Sequence, residues 1–528
     1  MSDNGTRPSG DTLYDGDLFK HDAVNQLMGL EDIDGSPVAP AEMRSWLFFG
    51  STCSPITGVA FGFFIPLIIQ ALSAGSGFES TDHSKPCNTT AANFSCVVQM
   101  GSLYIDTTSV YFYSVTIAAI LQMFLFVALG SLADHGATRK KLMLNFSIAG
   151  AVACILFPAI TRNDQYWLGL ILLIIVSVSV GMSWVFVYAY LPLLSRMSPA
   201  FLIHAHDKSL TPDQLTDELE VVTNHISGRG FAWGSVADVF LLLVISVLAM
   251  FFTPPASLPS TYALQVGIAV CGIFWLQGIF VAHRWLRERP GPPLPEGANL
   301  FTFSLKKVGT AISKFRELRN LFLFLLGWAM YSDAFGTLST VAILLAQSVL
   351  GFTTIDTLIL AFEVFICAFV GIFFFKTLQT YSKLSSKRIL QIQSLMYIVI
   401  PLWGLIGLIP GSPIGFKAKI EVFVLSGVHG LLIGATQSTC RTLFSQLLPP
   451  GCESEFFSLY EITDRGASFI GPLIVAAIDD HTSNKLNAFY FLMVTFSLAF
   501  ILFSFVDIEK GIQEGRAYGR KDRRLDRR

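Results

Sequence analysis

The chain has 528 residues, of which 52% are hydrophobic and only 14% charged, against roughly a quarter charged in an ordinary soluble domain. That balance excludes a water-soluble globule, which could not cover so much apolar surface, and a net charge of -2 gives no reason to expect a nucleic-acid partner. Residues 1–44 are acidic and rich in Gly, Pro and Asp, and read as a disordered cytosolic tail.

Apolar stretches of about twenty residues, enough to cross roughly 30 Å of hydrocarbon, then recur along the chain. The first six run from Trp46 to Leu72, Thr108 to Leu132, Leu142 to Ile160, Trp167 to Leu194, Phe231 to Phe252 and Tyr262 to His283. A polar stretch containing RERPGPPLPEG and a basic, amphipathic-looking run, LKKVGTAISKFRELRN, follows. Six more spans run from Leu321 to Val349, Leu358 to Leu378, Ile389 to Ile409, Ile420 to Leu443, Phe469 to Ile478 with a helical lead from Ser458, and Leu486 to Phe505. The expected fold is an all-α membrane protein of about twelve transmembrane helices in two six-helix bundles, residues 45–284 and 320–507. A cytosolic linker (285–319) joins them and a basic cytosolic tail (508–528) follows. Two bundles on a polar linker are the layout of many secondary transporters.

Orientation follows from the loops. When alternate loops are assigned to opposite sides, only Lys85, Arg162, Lys417, Lys419 and Lys485 fall opposite the termini; Arg441 and Arg465 lie in helices, and the other 29 of the 36 Lys and Arg share the side of the termini and linker. The positive-inside rule puts both termini in the cytosol. The first loop on the far side carries sequons at Asn88 and Asn93, together with Cys87 and Cys96, nine apart. Glycosylation and a disulfide in an oxidising compartment are the expectation there. Cys53, Cys154, Cys271, Cys367, Cys440 and Cys452 have no metal-ligand spacing, so no metal is expected and packing is their role.

Ionisable residues inside a bilayer cost roughly 2.5–3.5 kcal/mol on insertion scales and normally face a cavity or a partner. Spans three, six, nine and twelve carry none in their apolar cores, while Asp238, Asp333, Glu363, Glu421, His429, Arg441, Asp464 and Arg465 fall on the others. In a two-bundle transporter every third span faces lipid and the rest line the path. Asp333 and Glu363, near mid-span, are expected on the substrate or proton path, one contacting a substrate ammonium and one titrating; a hydrogen bond to a neighbouring helix is the plainer role. Asp238, Tyr331, His429, Trp184, Tyr188 and Tyr190 join them as candidates, the rings able to hold an apolar side chain or a cation. No metal-binding, nucleophile-elbow or P-loop motif appears, so neither an enzyme nor an ATP-driven pump is expected, and no cofactor.

After the second span the loop reads Gly130-Ser-Leu-Ala-Asp134-His-Gly-Ala-Thr-Arg139-Lys140-Lys141, similar to the signature loop of the major facilitator superfamily, with His135 where a basic residue is usual. Tyr190-Leu-Pro-Leu-Leu, Ile226-Ser-Gly-Arg-Gly-Phe-Ala-Trp-Gly, Tyr331-Ser-Asp333, Gln437-Ser-Thr-Cys-Arg441 and Glu455-Phe-Phe-Ser-Leu-Tyr-Glu461-Ile-Thr-Asp464-Arg465 narrow it further. With these runs the chain resembles the autophagy-related protein twenty-two family, fungal vacuolar effluxers of that superfamily, from Trp46 to Phe505. Ser54 stands where the family leads one to expect an acidic residue. The resemblance implies export of amino acids, neutral ones foremost, from the vacuole lumen to the cytosol by alternating access during autophagic recycling, with protons as a candidate co-substrate. It also implies a cytosolic gate in which Asp134 and Arg139 meet the start of span eleven, with Arg441, Glu461, Asp464 and Arg465 nearby. Export of another small metabolite, or a membrane receptor or scaffold that no longer transports, are the alternatives.

Overall fold

The computed structural model describes residues 36–526 apart from 81, 88–95, 206–210, 253, 256, 292–308, 310–314, 349, 353, 468–469 and 483–484. Among the described residues, eleven helices are long and apolar enough to cross a membrane. The first span is composite: α1 (Pro40–Pro55), a π-helical stretch (Ile56–Phe64) and α2 (Ile65–Gly75). Pro55 removes a backbone donor, and the wider turn that follows lets the chain continue without breaking. A small antiparallel sheet comes next, β1 (Phe78–Glu79), β2 (Cys96–Met100) and β3 (Leu103–Asp106), in the order β1-β2-β3. Cys87 is disulfide-bonded to Cys96 beside it, with Cα atoms 5.6 Å apart; Asn88 and Asn93 lie outside the described residues.

The rest of the first half comprises α3 (Thr107–Leu129), α4 (Thr138–Ile155), α5 (Tyr166–Arg196), the short α6 (Pro199–Ala205), α7 (Pro212–Phe251) and α8 (Tyr262–Trp285). α7 starts nineteen residues before its apolar run. Thr211 and Gln214 form a capping box there, each side chain accepting the other's backbone N–H, at 3.3 and 2.9 Å. The second half holds α9 (Arg319–Ser348), α10 (Thr354–Ser382), α11 (Ser386–Ile406), α12 (Lys419–Leu447), α13 (Glu453–Ala467), α14 (Ile470–Thr482), α15 (Ala488–Phe505) and α16 (Ile508–Asp526). The eleventh span is described in α13 and α14, on either side of residues 468–469.

Two expectations about the ends change. The chain is engaged from Ser36, well before residue 45: Val38 N–H bonds Met197 O at 2.9 Å, Arg289 donates to Ser36 O at 3.1 Å, and Arg289 and buried Glu42 form a two-pronged ion pair at 2.8 and 2.9 Å. A paired carboxylate and guanidinium hold what composition alone would leave loose. The basic tail is a docked helix: Glu514 of α16 accepts the N–H of Asn320 at 3.1 Å, and Arg516 reaches Thr216 of α7 at 3.4 Å.

α4, α8, α11 and α15, the helices of spans three, six, nine and twelve, pack chiefly within their own halves, whereas α7 packs on α10 and α12 and α13 packs on α3 and α5 across the halves. Small residues allow close packing where lipid offers no hydrophobic drive. On α12, a Cβ added at Gly430 or Gly434 would lie 2.6 or 2.5 Å from the carbonyl oxygens of Val364 and Ala368 on α10.

Candidate functional site

A cavity of about 500 Å³ lies between the halves. Its first-half wall comes from α1 and the π-helical stretch (Ser54, Thr57, Gly58), α5 (Trp184, Tyr188) and α7 (Phe231, Asp238). The second half contributes Trp328, Ser332 and Phe335 from α9, His429, Gln437 and Arg441 from α12, and Tyr460, Glu461 and Asp464 from α13.

Arg441 is the central cation. It is 7% exposed, and its guanidinium carbon lies 4.6 Å from the Tyr188 ring centre and 5.1 Å from that of Phe231, so a second-half cation is held between two first-half rings. Its Nε donates to Gln437 O at 3.1 Å, and among the described residues no carboxylate comes within 4.0 Å of it. A desolvated cation without a counter-ion is a costly arrangement that an anionic ligand would relieve. Asp238, 4% exposed, accepts a hydrogen bond from Ser54 Oγ on Oδ2 at 2.8 Å, while its buried Oδ1 has no partner among the described residues. Where the family resemblance leads one to expect an acid at position 54, the carboxylate at this level is supplied by α7 and Ser54 donates to it. Asp464 accepts a hydrogen bond from Ser332 Oγ. Trp184 stacks on Tyr188 with centroids 5.1 Å apart and donates to Thr57 Oγ1 at 3.0 Å; Trp328 stacks on Tyr460 at 4.8 Å. Among the described residues the cavity therefore offers the Arg441 cation, several carboxylates and aromatic walls.

Several predicted path residues are elsewhere. Asp333 turns away from the cavity and accepts the Gly471 N–H at 3.0 Å, at the start of α14; its neighbour Ser332 takes the cavity side because successive helical residues point about 100° apart. Glu363 sits at the α10–α12 contact, accepting from Ser426 Oγ at 2.9 Å. Tyr331 is buried among Trp328, Tyr397, Phe496 and Phe503. Tyr190 donates to Arg287 O at 3.1 Å, outside the cavity lining. Glu421 caps α12, accepting four backbone N–H groups between Gly415 and Ala418. His429 lines the cavity with Nε2 3.3 Å from Ser339 Oγ.

A buried hydrogen bond contributes about 1 kcal/mol. Asp333→Ala should therefore lower the melting temperature of the detergent-solubilised protein by a few degrees, while Asp333→Asn keeps substrate flux within about twofold of wild type. A collapse of flux in a well-folded Asp333→Asn protein would return this residue to the path.

Beneath the cavity, on the face that carries the two ends of the described chain, the halves are joined by a buried polar cluster. Asp134 accepts Arg139 Nη2 at 2.5 Å and the N–H groups of Ser454 and Glu455, both at 2.8 Å. The signature-loop carboxylate thus caps, from the other half, the N-terminus of α13, where free N–H groups and the helix dipole favour an anion. Arg139 also donates to Ser454 Oγ at 2.9 Å and lies 3.7 Å from Glu453, which pairs with Arg196 at 3.2 Å. The loop meets the start of span eleven at Glu453–Glu455 rather than at Asp464 and Arg465. Asp464, Glu461 and Arg441 belong to the cavity, and the Arg465 side chain lies outside the described residues. Glu453 and Arg196 escaped the sequence reading because both lie at helix ends; the acidic first turn after Pro449-Pro450-Gly451 was the available signal.

The second-half loop, with Thr380 where a repeat would put the acid, instead receives Glu220 of α7, which accepts the Ser386 N–H at 2.6 Å. Asn224 donates to Gln379 at 2.5 Å and Ser227 to Ser438 O at 3.1 Å along the same seam.

Two bundles closed below a central cavity, with every third helix outside, define a transporter of the major facilitator superfamily fold. The structure is similar to the proton:xylose symporter XylE bound to 6-bromo-6-deoxy-D-glucose, with a TM-score of 0.60, 14% identity and coverage of 90% of this chain and 98% of that one. It is also similar to FucP in the outward conformation, with a TM-score of 0.59, 13% identity and coverage of 89% and 99%. Residues 39–516 match the family described as vacuole effluxer Atg22 like, and the chain belongs to that family. Among its relatives are autophagy-related protein 22-1 of Aspergillus clavatus, 30% identical over 92% of this chain and 91% of that protein, and autophagy-related protein 22 of Coccidioides immitis, 28% identical over 94% and 91%. The chain is a multi-pass membrane transporter, not an enzyme.

Proposed function

We propose that the protein exports α-amino acids, neutral ones foremost, from the vacuole lumen to the cytosol by alternating access, as the family's description as vacuole effluxer suggests. The observation that carries the reading is buried Arg441, a cavity cation with no carboxylate within 4.0 Å among the described residues. It receives the substrate carboxylate. Glu461 and Asp464, one turn apart on the cavity side of α13, receive the ammonium, and the rings of Trp184, Tyr188 and Trp328 hold the side chain. Asp238 stands seven residues beyond Phe231, about 10 Å along the helix axis, too far to share the α-ammonium of a molecule seated on Arg441. Its role is the proton, loaded from an acidic lumen and released to the cytosol.

The five-residue share of Lys and Arg on the far side supports a cytosolic location for the termini, and Asn88 and Asn93 are the glycosylation sites of the lumenal loop. With the cytosolic face sealed through Asp134, the arrangement corresponds to the lumen-facing half of the cycle. The test is counterflow of labelled leucine, lysine and glutamate in proteoliposomes, with and without a pH gradient. Leucine flux displaced by other zwitterions supports the reading; flux of none of them through well-folded protein removes it and favours a receptor or scaffold.

A further inference from the structure

On the outside of the seam between the halves, His225 and Arg229 of α7 and Lys376 of α10 line one crevice with Asn224, Gln379 and Ser438. Arg229 lies two residues before the apolar run that opens at Phe231, and Lys376 lies two residues before the end of the span that closes at Leu378. The helices are antiparallel neighbours, so both cations sit at the same bilayer boundary, on the face of the closed seam. Arg229 and Lys376 are exposed, their charges act on each other and on His225, and among the described residues no carboxylate lies within 4.0 Å of either. Glu220, nine residues before Arg229, is occupied by the Ser386 N–H.

The bilayer side of the crevice is apolar. Trp233, one turn above Arg229, is 57% exposed, and the rings of Phe369 and Phe373 pack at a tilt along α10 with centroids 5.0 Å apart, both exposed. From these features we infer that the crevice binds the phosphate of an anionic phospholipid headgroup between Arg229 and Lys376, its acyl chains lying on Trp233, Phe369 and Phe373. Basic pockets between helices at the cytosolic boundary suit such headgroups. The two cations belong to different halves. They repel one another in the closed seam, and an anion between them turns that repulsion into attraction, so the lipid favours the state in which the seam is closed.

Full-length protein would be loaded with phosphatidylserine or phosphatidylcholine and lipid retention read by native mass spectrometry, with inorganic phosphate as a separate arm. Wild type should retain phosphatidylserine with about tenfold preference. Arg229→Gln/Lys376→Gln should lose that preference while eluting as a single folded species, Arg229→Lys should keep it, and Lys383→Gln, an exposed cation on the same face, should leave it unchanged. Phosphatidylserine should also slow alkylation of Cys452 beside the seal in wild type and not in the double variant. Equal retention in wild type and double variant, or displacement of the lipid preference by inorganic phosphate at millimolar concentration, overturns the proposal. Because the readouts are lipid retention and alkylation, they are independent of which substrate the cavity carries.

Discussion

Substrate flux in Arg441→Gln should fall at least about thirtyfold, with the protein still folded and membrane-resident. Truncating one member of a desolvated charge pair costs about 2–5 kcal/mol, and each 1.4 kcal/mol is tenfold in affinity. The glutamine keeps the length and a donor but removes the charge that a carboxylate needs. Arg441→Lys should recover only part of the loss, because an ammonium restores charge without the flat guanidinium that lies over Tyr188 at 4.6 Å and Phe231 at 5.1 Å. Binding of labelled substrate to purified protein, measured beside flux, separates lost affinity from lost turnover. Wild-type binding in Arg441→Gln would take this residue out of the site and with it the zwitterion reading.

The second large effect is expected at the seal. Asp134 joins Arg139 to the first backbone donors of α13, and Glu453 holds both Arg139 and Arg196. Removing one partner from a buried ionic cluster costs about 3–5 kcal/mol, which is enough to move a two-state equilibrium by a hundredfold or more. Asp134→Ala should therefore populate the form open at the terminal face. In a background where Cys53, Cys154, Cys271, Cys367 and Cys440 are replaced, alkylation of buried Cys452 from that face should accelerate by at least about tenfold. Net transport should drop even though no cavity residue is touched, because a carrier that rests on one side completes fewer cycles. An unchanged alkylation rate in Asp134→Ala would show that the cluster does not hold the face closed.

The cluster also explains why these residues were only half legible. The Asp134–Arg139 loop stands out in the sequence because glycine, acid and basic run occur together, but its receptor is a helix N-terminus more than 300 positions away, and backbone N–H groups have no letter. Glu453 and Arg196 look like ordinary helix-end charges until the two halves are brought together. Glu220 is similar: nothing in its sequence surroundings says that it would cap α11 in place of the acid missing at Thr380.

What the sequence by itself determined about this protein follows from the bilayer as a solvent. Hydrocarbon requires runs of about twenty apolar residues and penalises every stray charge, so the spans, the division into halves and the uncharged outer helices are written one-dimensionally. The facing of each polar side chain is not. Ser332 and Asp333 are neighbours on one helix, yet the first bonds Asp464 in the cavity and the second accepts the Gly471 N–H of α14, because about 100° of rotation per residue sends them to different partners. Arg441 counts as a helix-end residue by position, but α12 continues to Leu447 and the rings of the opposite half close over the guanidinium. Only the tertiary structure decided which charges share a cavity and which hold the halves together, since both depend on the packing of helices far apart in the chain.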